Sequence, residues 1–214
     1  MSATTPALEV RVLGRTRYED AHRLQQELLV LRAEGRIGDV LLTTEHEDVV
    51  TLGRKSPQGD AAGVGMPVVQ VERGGEATWH GPGQIVAYPI VHLPEGQRDL
   101  HAWLRGLEQV VIDTLADFGV AGGRVDGYTG VWIGGRKVCS IGVAVRRWVT
   151  WHGLALNVQA DLTRFAGFNP CGLDHRVMTN LAEHVAGPCD LAAVEQRLIQ
   201  HFQRFYSELT TRAS

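Results

Sequence analysis

The stretch YTGVWIGGRKVCSIGVAVRRWVTWHGLALNV, residues 128–158, decides the fold class. It is rich in β-branched and aromatic residues, and Gly134-Gly135 is a strong two-residue hairpin signal between residues 128–133 and 136–145. Arg146-Arg147 separates the second run from a third, residues 148–158. Three strands therefore follow one another with no helix between them.

Working outward, the pattern changes. Residues 10–13 read as a strand. Thr16 and Glu19 have capping-box spacing before a helix with Leu24, Leu28 and Leu31 on one face, ending near Gly35. Residues 39–44, 49–52, 67–71 and 85–93 are β-rich, and 54–65 is a glycine-containing loop. Asp99 is placed to cap a helix carrying Leu100, Leu104, Leu107, Val111 and Leu115, closed by Gly119. Residues 161–165 suggest a short helix, and 168–181 are irregular. Asp190 precedes a last helix with Val194, Leu198, Phe202 and Phe205 on one face. Strands and helices in blocks predict an α+β architecture with a mixed or antiparallel sheet, in one domain over 1–214 with a tail at 1–8.

Composition bounds the function. The 214 residues hold 44% apolar and 21% charged side chains, ordinary globular values that exclude disorder as the main state. The net charge of −3 argues against a nucleic-acid-coating protein. No signal peptide or apolar run of membrane-spanning length appears, and the three cysteines fit no secreted disulfide framework, so a cytoplasmic location is expected. There are only two lysines, Lys55 and Lys137.

Three segments could carry chemistry. In Arg73-Gly74-Gly75-Glu76-Ala77-Thr78-Trp79-His80-Gly81-Pro82-Gly83-Gln84, four glycines and a proline allow close backbone approach and offer N–H donors to a ligand. It is neither a P-loop nor a G-x-G-x-x-G, and a tight hairpin that binds nothing fits equally well. In Gly135-Arg136-Lys137-Val138-Cys139-Ser140-Ile141-Gly142, strict alternation puts Lys137, Cys139 and Ile141 on one face. Lys137 is then either directed at the core, where a lysine needs a function, or reaches water from the hairpin end. Cys171 in Asn169-Pro170-Cys171-Gly172 is a loop cysteine, open to either a nucleophile or an inert thiol. A Cys-His hydrolase could use Cys171 with His80, His152 or His175. Cys171, His175, His184 and Cys189 match no zinc spacing, so no metal is expected.

Together these segments resemble the lipoyl(octanoyl) transferases. The resemblance rests on Arg73-Gly74-Gly75-x-x-Thr78-Trp79-His80-x-Pro82-Gly83-Gln84, on Gly135-Arg136-Lys137 with Ser140-Ile141-Gly142, on Gly153-Leu154-Ala155-Leu156-Asn157, and on Pro170-Cys171-Gly172, in family order. It implies a single-domain α+β sandwich shared with lipoate and biotin protein ligases. It implies transfer of octanoate from octanoyl-acyl carrier protein to a lysine of lipoyl domains, those of 2-oxoacid dehydrogenase E2 subunits and the glycine cleavage H protein, with no cofactor and no membrane or nucleic-acid partner. Cys171 would be the thioester nucleophile and Lys137 its acid/base partner. Arg73 to His80, Ser140 to Gly142, and Gly153 to Ala155 would line the acyl site. Two other readings are an ATP-dependent ligase on the same fold and a non-catalytic acyl-carrier-binding module.

Overall fold

The computed structural model describes residues 8–57, 61, 65–166, 168 and 174–211. Among them the chain runs β1 (Glu9–Thr16), α1 (Tyr18–Ala33), β2 (Val40–His46), β3 (Val49–Leu52), β4 (Val68–Gln70), β5 (Thr78–His80) and β6 (Gln84–Ile90). It continues with α2 (Leu100–Asp117), β7 (Val131–Ile133), β8 (Arg136–Arg146), β9 (Val149–Asn157) and α3 (Leu191–Thr211). Six strands form one sheet in the order β1-β2-β6-β9-β8-β7, and three form a smaller one, β4-β3-β5. Both are mixed: β1–β2 and β3–β4 are parallel, and the remaining pairs are antiparallel. This is the expected α+β class. None of the described helices is long and apolar enough to cross a membrane.

The Gly134-Gly135 hairpin forms, although its first strand covers only residues 131–133 of the expected 128–133. Gly134 and Gly135, at φ 54° and 80°, make the two-residue turn between β7 and β8. Asp99 caps α2 by accepting hydrogen bonds from the His101 and Ala102 N–H groups. Asp161 similarly caps a 3-10 turn at Leu162–Phe165. Thr16 does not cap α1. It belongs to β1, where its hydroxyl meets Thr44 Oγ1 at 2.8 Å, and the cap position falls to Arg17 without a side-chain bond. On α3, Tyr206 and Leu209 complete the buried face and Phe205 lies at its margin.

The large sheet separates two cores. Leu41, Ile85, Leu154, Leu156 and Cys139 face α2 and α3 and pack with Leu107, Val111, Leu198 and Phe202. Leu42, Val86, Tyr88 and Ala155 face the other way, against Ala21, Leu28 and Leu29 of α1. Buried Asp39 ties three elements together. Its carboxylate accepts from Arg32 Nε at 2.5 Å, from His92 N at 2.8 Å and from Tyr206 OH at 2.9 Å.

One register detail decides where Lys137 goes. Trp132 pairs with Lys137 but Val131 pairs with Cys139, so one extra residue, Val138, bulges from β8. The bulge breaks the strict alternation expected for this strand. Val138 and Cys139 both become fully buried in the core beneath α2, and Lys137 pairs opposite Trp132, off the face that Cys139 occupies.

Candidate active site

The glycine-rich segment wraps against the outer edge of β8. With β7 only three residues long, Gly74 N–H donates to Val143 O at 3.0 Å and takes the place of a missing strand. Arg73 holds the loop closed. Its guanidinium donates to the carbonyls of Gly74, Glu76 and Thr51 and to Thr51 Oγ1, at 2.8–3.1 Å. It therefore acts as an internal staple rather than as a free anchor at a pocket mouth.

A cavity opens between this loop, α1, and the centre of the sheet. Arg73, Gly74, Gly75, Thr78 and His80 form one wall, and Ser140, Ile141 and Gly142 of β8 a second. Gly153, Leu154 and Ala155 of β9 form a third. Three motifs up to 82 positions apart thus converge on one space.

Alternation along β5 explains what is left out. Thr78 and His80 face the cavity, while Ala77 and Trp79 turn into a separate apolar cluster, where Trp79 packs on Phe165 and donates to Asp48 Oδ1. Glu76 borders a neighbouring cavity instead. Tyr18, Val86, Tyr88 and His152 also line the first cavity and carry no motif signal strong enough to assign them there. His152 adjoins the Gly153-Leu154-Ala155 motif. Tyr18 and Tyr88 arrive from α1 and β6 through topology alone. Gly153 shows how tightly the sheet closes: a Cβ there would lie 2.1 Å from Ala87 O.

The polar groups at the cavity are ordered. Gln84 donates through Nε2 to Asn157 Oδ1 at 2.9 Å, so its Oε1 is the acceptor facing His80 Nδ1 at 2.7 Å. His80 therefore carries its proton on Nδ1. Its Nε2 accepts from the Thr51 hydroxyl at 3.4 Å, which in turn accepts from Arg73. Burial, then the nearby His46, push the His80 pKa down to about 3, so the ring is neutral. Burial likewise lowers His46 to about 4, and its Nε2 meets Tyr88 OH at 2.8 Å. Asn157 Nδ2 donates to Thr179 O, and Thr179 N–H donates to Lys137 O. A hydrogen-bonded line thus runs from the cavity floor to the backbone of the lysine.

Lys137 is 2% exposed and lines an adjoining cavity with Tyr128, Thr129 and Glu76. The two cavities share Gly74, Gly75, Ile141 and Gly142 as common wall. The lysine Nζ sits 5.7 Å from the Trp132 ring centroid. Its stem passes under Gly130, where a Cβ would come within 2.8 Å of Lys137 Cε. Gly130 is fixed by its N–H donating to buried Glu108, whose other oxygen accepts from Arg105 and Arg124.

Cys171, with Asn169, Pro170, Gly172 and Leu173, lies outside the described residues. The two described cysteines are free and buried. Cys139 lines neither cavity, and burial drives its thiol pKa up to about 12, disfavouring thiolate. Among the described residues His175, His184 and Cys189 form no metal-capable cluster.

Comparison with known proteins agrees with this geometry. Residues 17–203 match the model of the lipoyl protein ligase A/B catalytic domain. An octanoyltransferase of Solibacter usitatus is 43% identical over 204 residues, covering 92% of each chain. One from Chloroflexus aurantiacus is 45% identical over 202 residues, covering 90% of this chain and 91% of its own. Among solved structures, the bi-partite lipoate protein ligase of Thermoplasma acidophilum superposes with TM-score 0.72 at 16% identity, over 97% of this chain and 91% of that one. The biotin protein ligase of Aquifex aeolicus in complex with biotin and ATP gives 0.57 at 13%, over 96% and 73%. The cavity-lining motifs, the sheet topology and these relatives together show that the chain belongs to the lipoyl protein ligase A/B catalytic-domain family and, within it, to the octanoyltransferases.

Proposed function

We propose that the enzyme takes its octanoyl group from octanoyl-acyl carrier protein, holds it as a thioester on Cys171, and delivers it to a lysine of lipoyl domains. The observation that carries this reading is the shared wall. The cavity lined by the three motifs and the Lys137 cavity meet along Gly74, Gly75, Ile141 and Gly142, so a carbonyl held at that common wall would lie beside the lysine.

The chemistry balances without an added energy source. Thioester exchange is nearly isoenergetic, and aminolysis of a thioester to an amide is downhill, so the reaction is read as cofactor-free. A free thiol with a pKa of ~8.5 is only ~3% thiolate at pH 7. A lysine ammonium beside Cys171 would favour thiolate, and a two-unit shift is worth about 2.7 kcal/mol. Attack on the carrier thioester forms the Cys171 S–acyl bond and expels the phosphopantetheine thiolate, which takes the proton of the Lys137 ammonium and leaves the lysine neutral. The acceptor amine then attacks, Lys137 in its neutral form removes the amine proton, and the Cys171 thiolate leaves. The 2-oxoacid dehydrogenase E2 subunits and the glycine cleavage H protein are the acceptors this reading names, in the cytoplasm.

Intact-mass measurement after incubation with octanoyl-acyl carrier protein tests it. One hydroxylamine-labile octanoyl group on wild type, absent from Cys171→Ser, is the expected result. An adduct that persists in Cys171→Ser overturns the assignment, and a rate that depends on ATP overturns the transferase mechanism.

A further inference from the structure

At the α1 end of the acyl cavity three side chains converge that the transfer chemistry does not use. His22 of α1, Glu72 from the loop after β4, and His152 of β9 place their ligand-capable atoms within 4.8 Å of one another. His22 Nε2 lies 3.0 Å from Glu72 Oε2, and His152 Nε2 lies 3.6 Å from the same oxygen. Tetrahedral coordination at ~2.05 Å separates neighbouring ligand atoms by about 3.4 Å, between these two values.

His152 is the second, independent observation. Its side chain is 2% exposed, and its Nε2 is fully buried, faces the cluster, and has no hydrogen-bond partner. An orphaned buried ring nitrogen needs an explanation. The residue also holds φ at 54° inside a strand, a conformation uncommon for histidine. Its N–H donates to Gln25 Oε1, which fixes the backbone in place.

We propose that His22, Glu72 and His152 form a binding site for a zinc-class divalent cation. Two imidazoles and one carboxylate suit zinc, cobalt or nickel; calcium and magnesium prefer oxygen ligands. Glu72 is half-exposed and gives the ion a path from solvent, while His152 lines the acyl cavity, so a fourth position can be filled by water. Arg73 is the opposing charge nearby. Its guanidinium is held by Thr51 and by the Gly74 and Glu76 carbonyls.

Calorimetric titration of the chelator-treated full chain with zinc chloride tests the site, with magnesium chloride as the control. One zinc per chain, no magnesium binding, and a loss of affinity in His22→Ala and in Glu72→Gln are expected. The loss should exceed the ~10–100-fold that removal of an outer-shell partner causes. Both variants alter residues near the surface, and circular dichroism confirms their fold. Cobalt should give visible bands of a tetrahedral nitrogen–oxygen site without a thiolate charge-transfer band. No zinc binding, wild-type zinc affinity in either variant, magnesium binding equal to that of zinc, or a thiolate band assigning the metal to cysteine would each overturn the proposal.

Discussion

The two faces of the six-stranded sheet carry very different side chains. Towards α2 and α3 the sheet presents leucines, isoleucines, valines and a buried thiol, a dense apolar core. Towards α1 and the glycine-rich loop it presents Tyr88, Ser140, His152 and the backbone of Gly142 and Gly153, with His80 beside them. Alternate residues of the same strands serve both. One face is apolar throughout, whereas the other packs against α1 and, beside that second core, leaves space and polar atoms for a substrate. Substitutions on the two faces should therefore have separable effects, one on folding and the other on transfer.

The strongest test sets the two kinds of cysteine against each other. Cys171→Ser is expected to lower octanoyl transfer by at least ~10³-fold, as loss of a covalent nucleophile does. Cys139→Ser should keep transfer and lose about 1–3 kcal/mol of stability, because it buries a hydroxyl in an apolar core. Steady-state assays with denaturant melts decide between them. A Cys139→Ser enzyme that is folded but inactive would break the division of faces.

Next in size, Lys137→Ala should reduce the turnover number by ~10²–10⁴-fold, the usual range for a lost acid/base group, with the melting temperature little changed. Unchanged turnover would remove the lysine from the mechanism. On the packing face, Leu198→Ala, at a position only 1% exposed, should cost about 2–5 kcal/mol in urea unfolding and leave the acyl-transfer rate of folded enzyme near wild type.

The smallest effect is a pH slope. His46 and His80 are held well below the ~6.5 of an unfolded histidine by burial, to about 4 and about 3. The unfolded chain therefore binds more protons than the folded chain between pH 6.5 and 4. The stability these groups contribute is fully present above pH 6.5 and is lost as pH falls through that window. Each contributes ~1.4 kcal/mol per pH unit in the steep part. A His46→Gln variant should flatten the pH 6-to-5 loss by about that amount in urea melts, and an unaltered slope would show that burial is not what keeps the ring neutral.

Much of this was readable from local sequence. Gly134-Gly135 fixed a turn, Asp99 a helix start, and the three glycine-containing motifs converged on one cavity. Each of those signals is local or is repeated within a few residues. The rest depends on distance in space. The bulge at Val138 follows from register with β7, so alternation along β8 could not show that Lys137 and Cys139 part company. Thr16 had the spacing of a cap, but register pairing with His46 of β2 drew it into a strand. Ala77 and Trp79 belong to the motif and still face away from the cavity, because a strand shows only every second residue to one side. Tyr18, Tyr88 and the His22–Glu72–His152 group come together from separate elements.

The pairing of Gln84 with Asn157 spans 73 residues and sits at the centre of the sheet. Bringing β6 beside β9 therefore requires closure of a long loop, and contacts of such high sequence separation slow folding. During synthesis the glycine-rich loop and β6 leave the ribosome well before their partners β8 and β9. The acyl cavity has no third wall until residues 153–155 arrive, so substrate affinity and the closing of the central sheet should appear in the same kinetic phase.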